Sequence, residues 1–179
     1  MAILDIIETP DPRLRQISEP VEAVDDDLRR LMDDMLETMY EAPGIGLAAI
    51  QVGVAKRVLV IDLQDEDEET GERILKPHFF INPEIVSASE ELRVYNEGCL
   101  SVPEIYAEVE RPARIRARWL DYDGKPHEED LDELMSTCLQ HELDHLNGIL
   151  FIDHLSKLKR DMLLKKLAKM RKAKEAEAA

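Results

Sequence analysis

Apolar residues at Leu28, Leu31, Met32, Met35, Leu36 and Met39 follow the three-and-four spacing of a helix with one buried face. Asp25 stands before that run as an N-cap, and Pro43-Gly44 stops it. The pattern then changes to short runs rich in β-branched and aromatic residues, at 57–62, 79–87, 92–95, 105–109 and 115–122, which predict strands. Asp123-Gly124 supplies a tight turn after the last of them. Helical spacing returns between Asp130 and Asn147, through Leu131, Leu134, Met135, Cys138, Leu139, Glu142 and Leu146, with Gly148 as its terminator. A third helix is predicted from about Ser156 toward Lys174, with Leu158, Met162, Leu163 and Leu167 as its apolar stripe. Helix, strands, helix, helix is an α+β order, because strands and helices do not alternate. The expected arrangement is small antiparallel or mixed sheets packed around the second helix, with one helix at each end of the chain. With no repeat and no linker, residues 1–156 read as one domain and 157–179 as a C-terminal helix or tail.

A chain of 179 residues can bury a core without disulfides or a structural metal, so any metal site needs a chemical reason. Two cysteines are too few for a disulfide framework and suit a reducing compartment. The N-terminus lacks a basic region and meets Asp5, and no apolar run approaches the roughly 18 residues of a membrane span. A soluble, cytoplasmic protein with no membrane partner is expected. The formal charge of −16 repels nucleic acid, and no DNA partner is expected. The charge is uneven, however. Nine cations and three acids from residue 157 onward give that segment +6 and leave −22 on the rest, which marks either an element that meets an anionic partner or a solvated helix face. The acidic stretch 65–71 reads as a solvated loop.

The sharpest chemical signal is His141-Glu142-Leu143-Asp144-His145, an H-E-x-x-H on the second predicted helix. Residues four apart share a helix face, so both imidazoles can address one cation while Glu142 reaches a water beside it. A catalytic metal needs a third protein ligand. A histidine six residues past His145 would complete one known layout, but Phe151 stands there. A later glutamate would complete another, but only Glu175 and Glu177 follow, at the end of the chain. The third ligand is therefore sought upstream, where Cys99 in Glu97-Gly98-Cys99-Leu100-Ser101 is the best candidate. There Gly98 lets the backbone bend and Pro103 ends the strand pairing. A thiolate with two imidazoles suits Fe(II), Zn or Co and disfavours Mg or Ca. By itself Cys99 reads as a small buried hydrophobe, the commoner fate of a free cysteine, and only the unfinished two-histidine site tips it to ligand. Cys138, one turn before His141, reads as pocket wall. His78, His127 and His154 stand alone and read as surface residues.

Gly44-Ile45-Gly46-Leu47-Ala48-Ala49-Ile50-Gln51 formally matches a dinucleotide-binding fingerprint, but that motif needs a strand before it and a helix after it, the reverse of the order here. Its small residues instead permit close approach of the backbone to a bound group, and Gln51 offers an amide donor.

Together, Gly44 to Gln51, Glu97 to Ser101 and Gln140 to His145 resemble the three motifs of the peptide deformylases, in order and spacing, over a region from about Ile3 to Lys159. The resemblance implies a metallohydrolase that removes the formyl group from the initiator methionine of new polypeptides. It implies Cys99, His141 and His145 as metal ligands, Glu142 as general acid and base, and Gln51 with the Leu100 N–H as the oxyanion site. Fe(2+) is the implied metal, with Zn(2+), Ni(2+) or Co(2+) as substitutes. N-formylmethionyl nascent peptides are the implied substrates, and ribosome docking through the basic C-terminal helix is the implied partnership. Gly44, Ile45, Gly46, Glu97, Leu134 and Cys138 are expected around the substrate, with Ile45, Leu134 and Cys138 walling the methionine side chain. A zinc endopeptidase built on the same helix is the competing enzyme, and a structural metal in an interaction module the competing non-enzyme.

Overall fold

The computed structural model describes residues 2–178. Helix α1 (Asp26–Glu41) is followed by strands β1 (Gly46–Ala48), β2 (Val58–Ile61), β3 (His78–Ala88), β4 (Leu92–Cys99), β5 (Val102–Pro112), β6 (Arg114–Leu120) and β7 (Pro126–Asp132). Helices α2 (Glu133–Leu146) and α3 (Lys157–Ala178) complete the order, which is α+β. All named strand pairings are antiparallel, in a five-stranded sheet of order β1-β2-β3-β6-β7 and a separate β4-β5 hairpin.

The unbroken apolar run of β2 shows why the sheet is enclosed. Val58 and Val60 join Met32, Met35 and Met39 of α1 in one cluster. Leu59 and Ile61 turn the other way, onto Leu139, Leu143 and Leu146 of α2. A strand covered on both faces has no polar side to show, hence VLVI. Each such side chain, fully buried, contributes on the order of 1.5–3 kcal/mol of hydrophobic transfer. A third cluster packs Val102, Ile105, Ala107 and Val109 of β5 against Phe151, Ile152 and Leu167. Helix α2 touches strands of both sheets and is buried continuously from Ser136 to Leu143, which is why its polar residues must find internal partners.

Four details differ from the sequence reading. Residues 130–132 belong to β7 and α2 begins at Glu133. Strand β7, PHEEDLD, has little strand character of its own and is held by its partner: Arg116 on β6 binds both Glu128 and Asp130, and such cross-strand ion pairs stabilise a ladder. Strand β1 is also unanticipated, because three residues, Gly-Leu-Ala, are too few to carry a periodicity; its register, Gly46 to Ile61 and Ala48 to Leu59, comes from β2. Pro103 lies inside β5 rather than ending it, in an irregularity where Gly98 pairs with Tyr106 but Cys99 pairs with Val102, a place where a missing N–H costs no ladder bond. On α3, Leu163, Leu164 and Leu167 face the core while Leu158 and Met162 are exposed. Nine residues separate Leu158 from Leu167, about two and a half turns, so the two point to opposite sides of the helix.

The N-cap at Asp25 is as expected, its side chain accepting from the Leu28 N–H at 2.9 Å. Gly148 ends α2 with φ +74°, and a Cβ there would stand 2.5 Å from the Arg15 carbonyl oxygen. Gly148→Ala is therefore expected to lower stability by about 1–3 kcal/mol through strain and displaced backbone, measured as a reduced denaturation midpoint with the slope unchanged.

Candidate active site

Strand β4 and helix α2 bring the second and third motifs together. Cys99 ends β4, and its Sγ lies 3.3 Å from His145 Nε2. The donor atoms of Cys99, His141 and His145 all fall within 4.8 Å of one another, so a slight inward rotation of these side chains brings them within reach of metal bonds of about 2.0–2.3 Å. His141 Nδ1 sits 2.8 Å from Glu97 Oε1. That contact makes Nδ1 the protonated nitrogen and leaves the Nε2 lone pair for the cation, as second partners of ligating histidines do.

Glu97 is itself clamped. Arg111 donates to both its oxygens, at 2.7 and 3.0 Å, and with its remaining arm to Asp144 at 2.8 Å. Asp144 also meets His154 Nε2 at 2.7 Å. Burial opposes ionisation of Glu97, but His141 and Arg111 outweigh it and hold the carboxyl below its ordinary range. Burial keeps His145 neutral, its pKa well below normal. His141 is just as buried, yet the Cys99 sulfur, Glu97 and Glu142 outweigh burial and raise it well above normal. The proton drawn to His141 stands where a metal would supply positive charge, so the donor set, its neutral partner ring and its negative surroundings all fit a divalent cation.

Glu142 is buried beside this set, and burial pushes its carboxyl up to about 7. Among the described residues its Oε2 has no hydrogen-bond partner, nor has His145 Nδ1. Gly46 makes room for it: a Cβ there would lie 2.6 Å from Glu142 Oε1. Gln51 is buried and fixed at both ends of its amide. Its Oε1 accepts from the Ala48 N–H at 2.9 Å, while Nε2 donates to Ser101 Oγ at 3.0 Å and points toward Cys99 Sγ at 3.6 Å. Burial raises the Cys138 thiol to about 12, so it is a neutral wall group.

These residues floor a cleft of about 880 Å³ lined by Gly44, Ile45, Gly46, Gln51, Glu97, Cys99, Leu100, Cys138, His141 and Glu142 among others. His145 lies behind them, fully buried. Leu134 is the exception among the expected wall residues. It occupies the first turn of α2 and packs on the central core beside the sheet, outside the cleft, because the turn holding Cys138 comes between it and the opening. Two other expectations change as well. His154 holds Asp144, and His127 pairs with Asp121 and stacks on Trp119, so neither is isolated, although His154 is exposed at the surface as expected.

Sequence reasoning missed Arg111, Ser101 and the role of Asp144. Asp144 stood in view inside the H-E-x-x-H, but its partner Arg111 lies fourteen residues from Glu97 on the other hairpin strand, and no local spacing links them.

An α+β domain in which a buried glutamate lies beside a possible metal-binding group of one cysteine and two histidines, at the floor of an open cleft, has the arrangement of a hydrolase. The chain belongs to the polypeptide deformylase family, whose model matches residues 3–161. It is 70% identical over 176 residues to the peptide deformylase of Rhizorhabdus wittichii, covering 98% of this chain and 99% of that one. Among solved structures it is similar to peptide deformylase from Ehrlichia chaffeensis, with TM-score 0.88, 43% identity and coverage of 97% and 99%. The peptide deformylase of Legionella pneumophila gives TM-score 0.87 at 45% identity, covering 97% and 98%. Among the described residues no helix is long and apolar enough to cross a membrane.

Proposed function

We propose that this chain hydrolyses the formamide of N-formylmethionyl peptides, releasing formate and a free N-terminus, with a divalent metal held by Cys99, His141 and His145. The observation that carries this reading is the convergence of those three donors beside a buried glutamate with an unpartnered oxygen on the floor of one cleft. A metal bound there supplies a Lewis acid that polarises the formyl carbonyl and acidifies water.

The protein's own groups do the rest. Glu142, as carboxylate, takes a proton from the attacking water and delivers it to the departing amine, one group serving first as base and then as acid. Negative charge gathers on the formyl oxygen as the carbonyl carbon becomes tetrahedral. The Gln51 amide, held by Ala48 and Ser101, and the Leu100 N–H are the donors assigned to that oxygen, and one such donor is worth about 3 kcal/mol. Ile45 and Cys138 wall the methionine side chain, and Gly44 and Gly46 admit the substrate backbone. Glu97 and Arg111 orient His141.

Formate release from a formyl-Met peptide, with no cleavage of an internal peptide bond, supports this assignment; the reverse outcome supports the endopeptidase. The favoured metal is Fe(2+), since a thiolate donor suits softer ions and is open to oxidation. An iron-loaded preparation is expected to lose activity in air or peroxide several times faster than a nickel or zinc one, and equal lifetimes would remove the case for iron. The cations of α3 are assigned to docking on the ribosome, tested by co-sedimentation that weakens as salt rises.

A further inference from the structure

The row of contacts between β4 and α2 does not end at the metal-ligating group. Alternate residues of a strand share a face, which puts Arg93, Tyr95, Glu97 and Cys99 on one side of β4. Cys99 meets His145 at 3.3 Å and Glu97 meets His141 at 2.8 Å. A further pair continues the row one helical turn before His141, where Arg93 Nη1 donates to Thr137 Oγ1 at 2.9 Å. No step of the proposed reaction uses that pair.

Thr137 is only 3% exposed, and with Tyr95 and Cys138 it lines the cleft. A buried threonine on a helix commonly gives its proton to the carbonyl four residues back, as Thr38 on α1 does to Asp34 at 2.6 Å. Thr137 does not. Its oxygen accepts from Arg93, and among the described residues its own O–H has no acceptor. The Arg93 guanidinium also lies over the Tyr95 ring, 5.1 Å from its centroid. A cationic donor on the oxygen strengthens the hydroxyl as a donor in its turn. The cleft wall thus carries a buried, polarised O–H that is free to serve a bound molecule.

We infer that the Thr137 hydroxyl donates to the thioether sulfur of the substrate's first side chain, and that Arg93 is the positioning residue that keeps it aimed there. The inference rests on the proposed deformylase activity and adds a determinant of its side-chain preference. Thr137 directly precedes the wall residue Cys138 and stands a turn from His141, toward the end of the slot away from the reacting carbon. That end receives the outer part of a methionine side chain, where the sulfur sits. A thioether is a weak acceptor, which a charge-assisted donor suits. Norleucine puts a methylene of about the same size in that place and is the more apolar of the two, so an apolar slot by itself does not prefer methionine.

The test compares kcat/KM for formyl-Met-Ala-Ser and formyl-Nle-Ala-Ser with the full-length, metal-loaded protein. The Met:Nle ratio is expected at about two- to tenfold, the span of one net hydrogen bond, and carried by KM, because the sulfur contact is the same before and during the reaction. It should fall to about one or below in Thr137→Val, which keeps the shape and removes the hydroxyl, and persist in Thr137→Ser. Arg93→Met should lower it too, since the released hydroxyl then turns back to the Glu133 carbonyl; lost packing alone would slow both peptides equally and leave the ratio. A ratio of about one in the unaltered protein overturns the inference with no variant needed to fold, as does a higher ratio that Thr137→Val leaves unchanged. A ratio that only Arg93→Met leaves unchanged removes the positioning role of Arg93. Formate released from both peptides at a flat ratio removes the Thr137 contact alone, whereas no formate from either removes the deformylase reading itself.

Discussion

Replacing Glu142 with alanine is expected to lower kcat by about 10²–10⁴-fold, the usual contribution of a positioned acid–base group, while the purified protein keeps its metal. Metal analysis and formate release on the same sample check both halves. Loss of metal together with activity would make Glu142 a ligand, and retained activity would remove it from the reaction. A site holding a purely structural metal predicts no turnover in either form. The unaltered enzyme should show activity rising with pH as Glu142 ionises. Burial, the largest of several influences, leaves that carboxyl at about 7; a bound cation favours the carboxylate, so the acid limb of kcat/KM is expected at or below that value, and moving Glu142 to a more exposed setting would shift it further down.

The second large effect lies away from the reacting atoms. Arg111 is only 5% exposed and is the shared partner of Glu97 and Asp144. Arg111→Met leaves buried carboxylates without their counter-charge, and breaking a buried pair in this way costs about 3–5 kcal/mol. For a domain of this size that corresponds to a fall in Tm of about 10 °C. Glu97 also sets the protonated nitrogen of His141, so metal release to a chelator should quicken by about 10–100-fold, the usual cost of removing a partner of a ligating histidine. Arg111→Lys keeps the charge but not the planar fork, and is expected to recover part of the stability and less of the metal retention. A Met variant that melts and holds metal like the unaltered protein would show the clamp to be dispensable.

Both expectations join groups that differ greatly in how readable they were. The helices were legible wherever a local period carried them: α1 with its Asp25 cap, and α2 from Leu134 onward. Strands β2 and β3 were legible because burial on the sheet demands β-branched and aromatic residues. Strands β1 and β7 were not, since the first is only three residues long and the second an acidic run, and each is a strand only because a neighbour supplies its ladder or its arginine. The error on α3 had a different cause: Leu158 and Met162 share a face with each other but not with Leu167, and only the position of β5 shows which face is covered. Leu134 failed as a wall residue for a similar reason, because a helix period says which residues share a side and not how far the cleft reaches along it.

The chemistry within one helical turn belonged to the sequence. Four residues along a helix bring two imidazoles to one face whatever surrounds them, and the carboxylate between them comes with the same geometry. What only the folded chain decided is everything that spans elements: Cys99 from β4 at 3.3 Å from His145, Arg111 between Glu97 and Asp144, Gly46 against Glu142, and Arg93 on Thr137. Local spacing determines the direction of a side chain along its own element. Distances between elements are set by how sheets and helices pack, which no window of neighbouring residues contains.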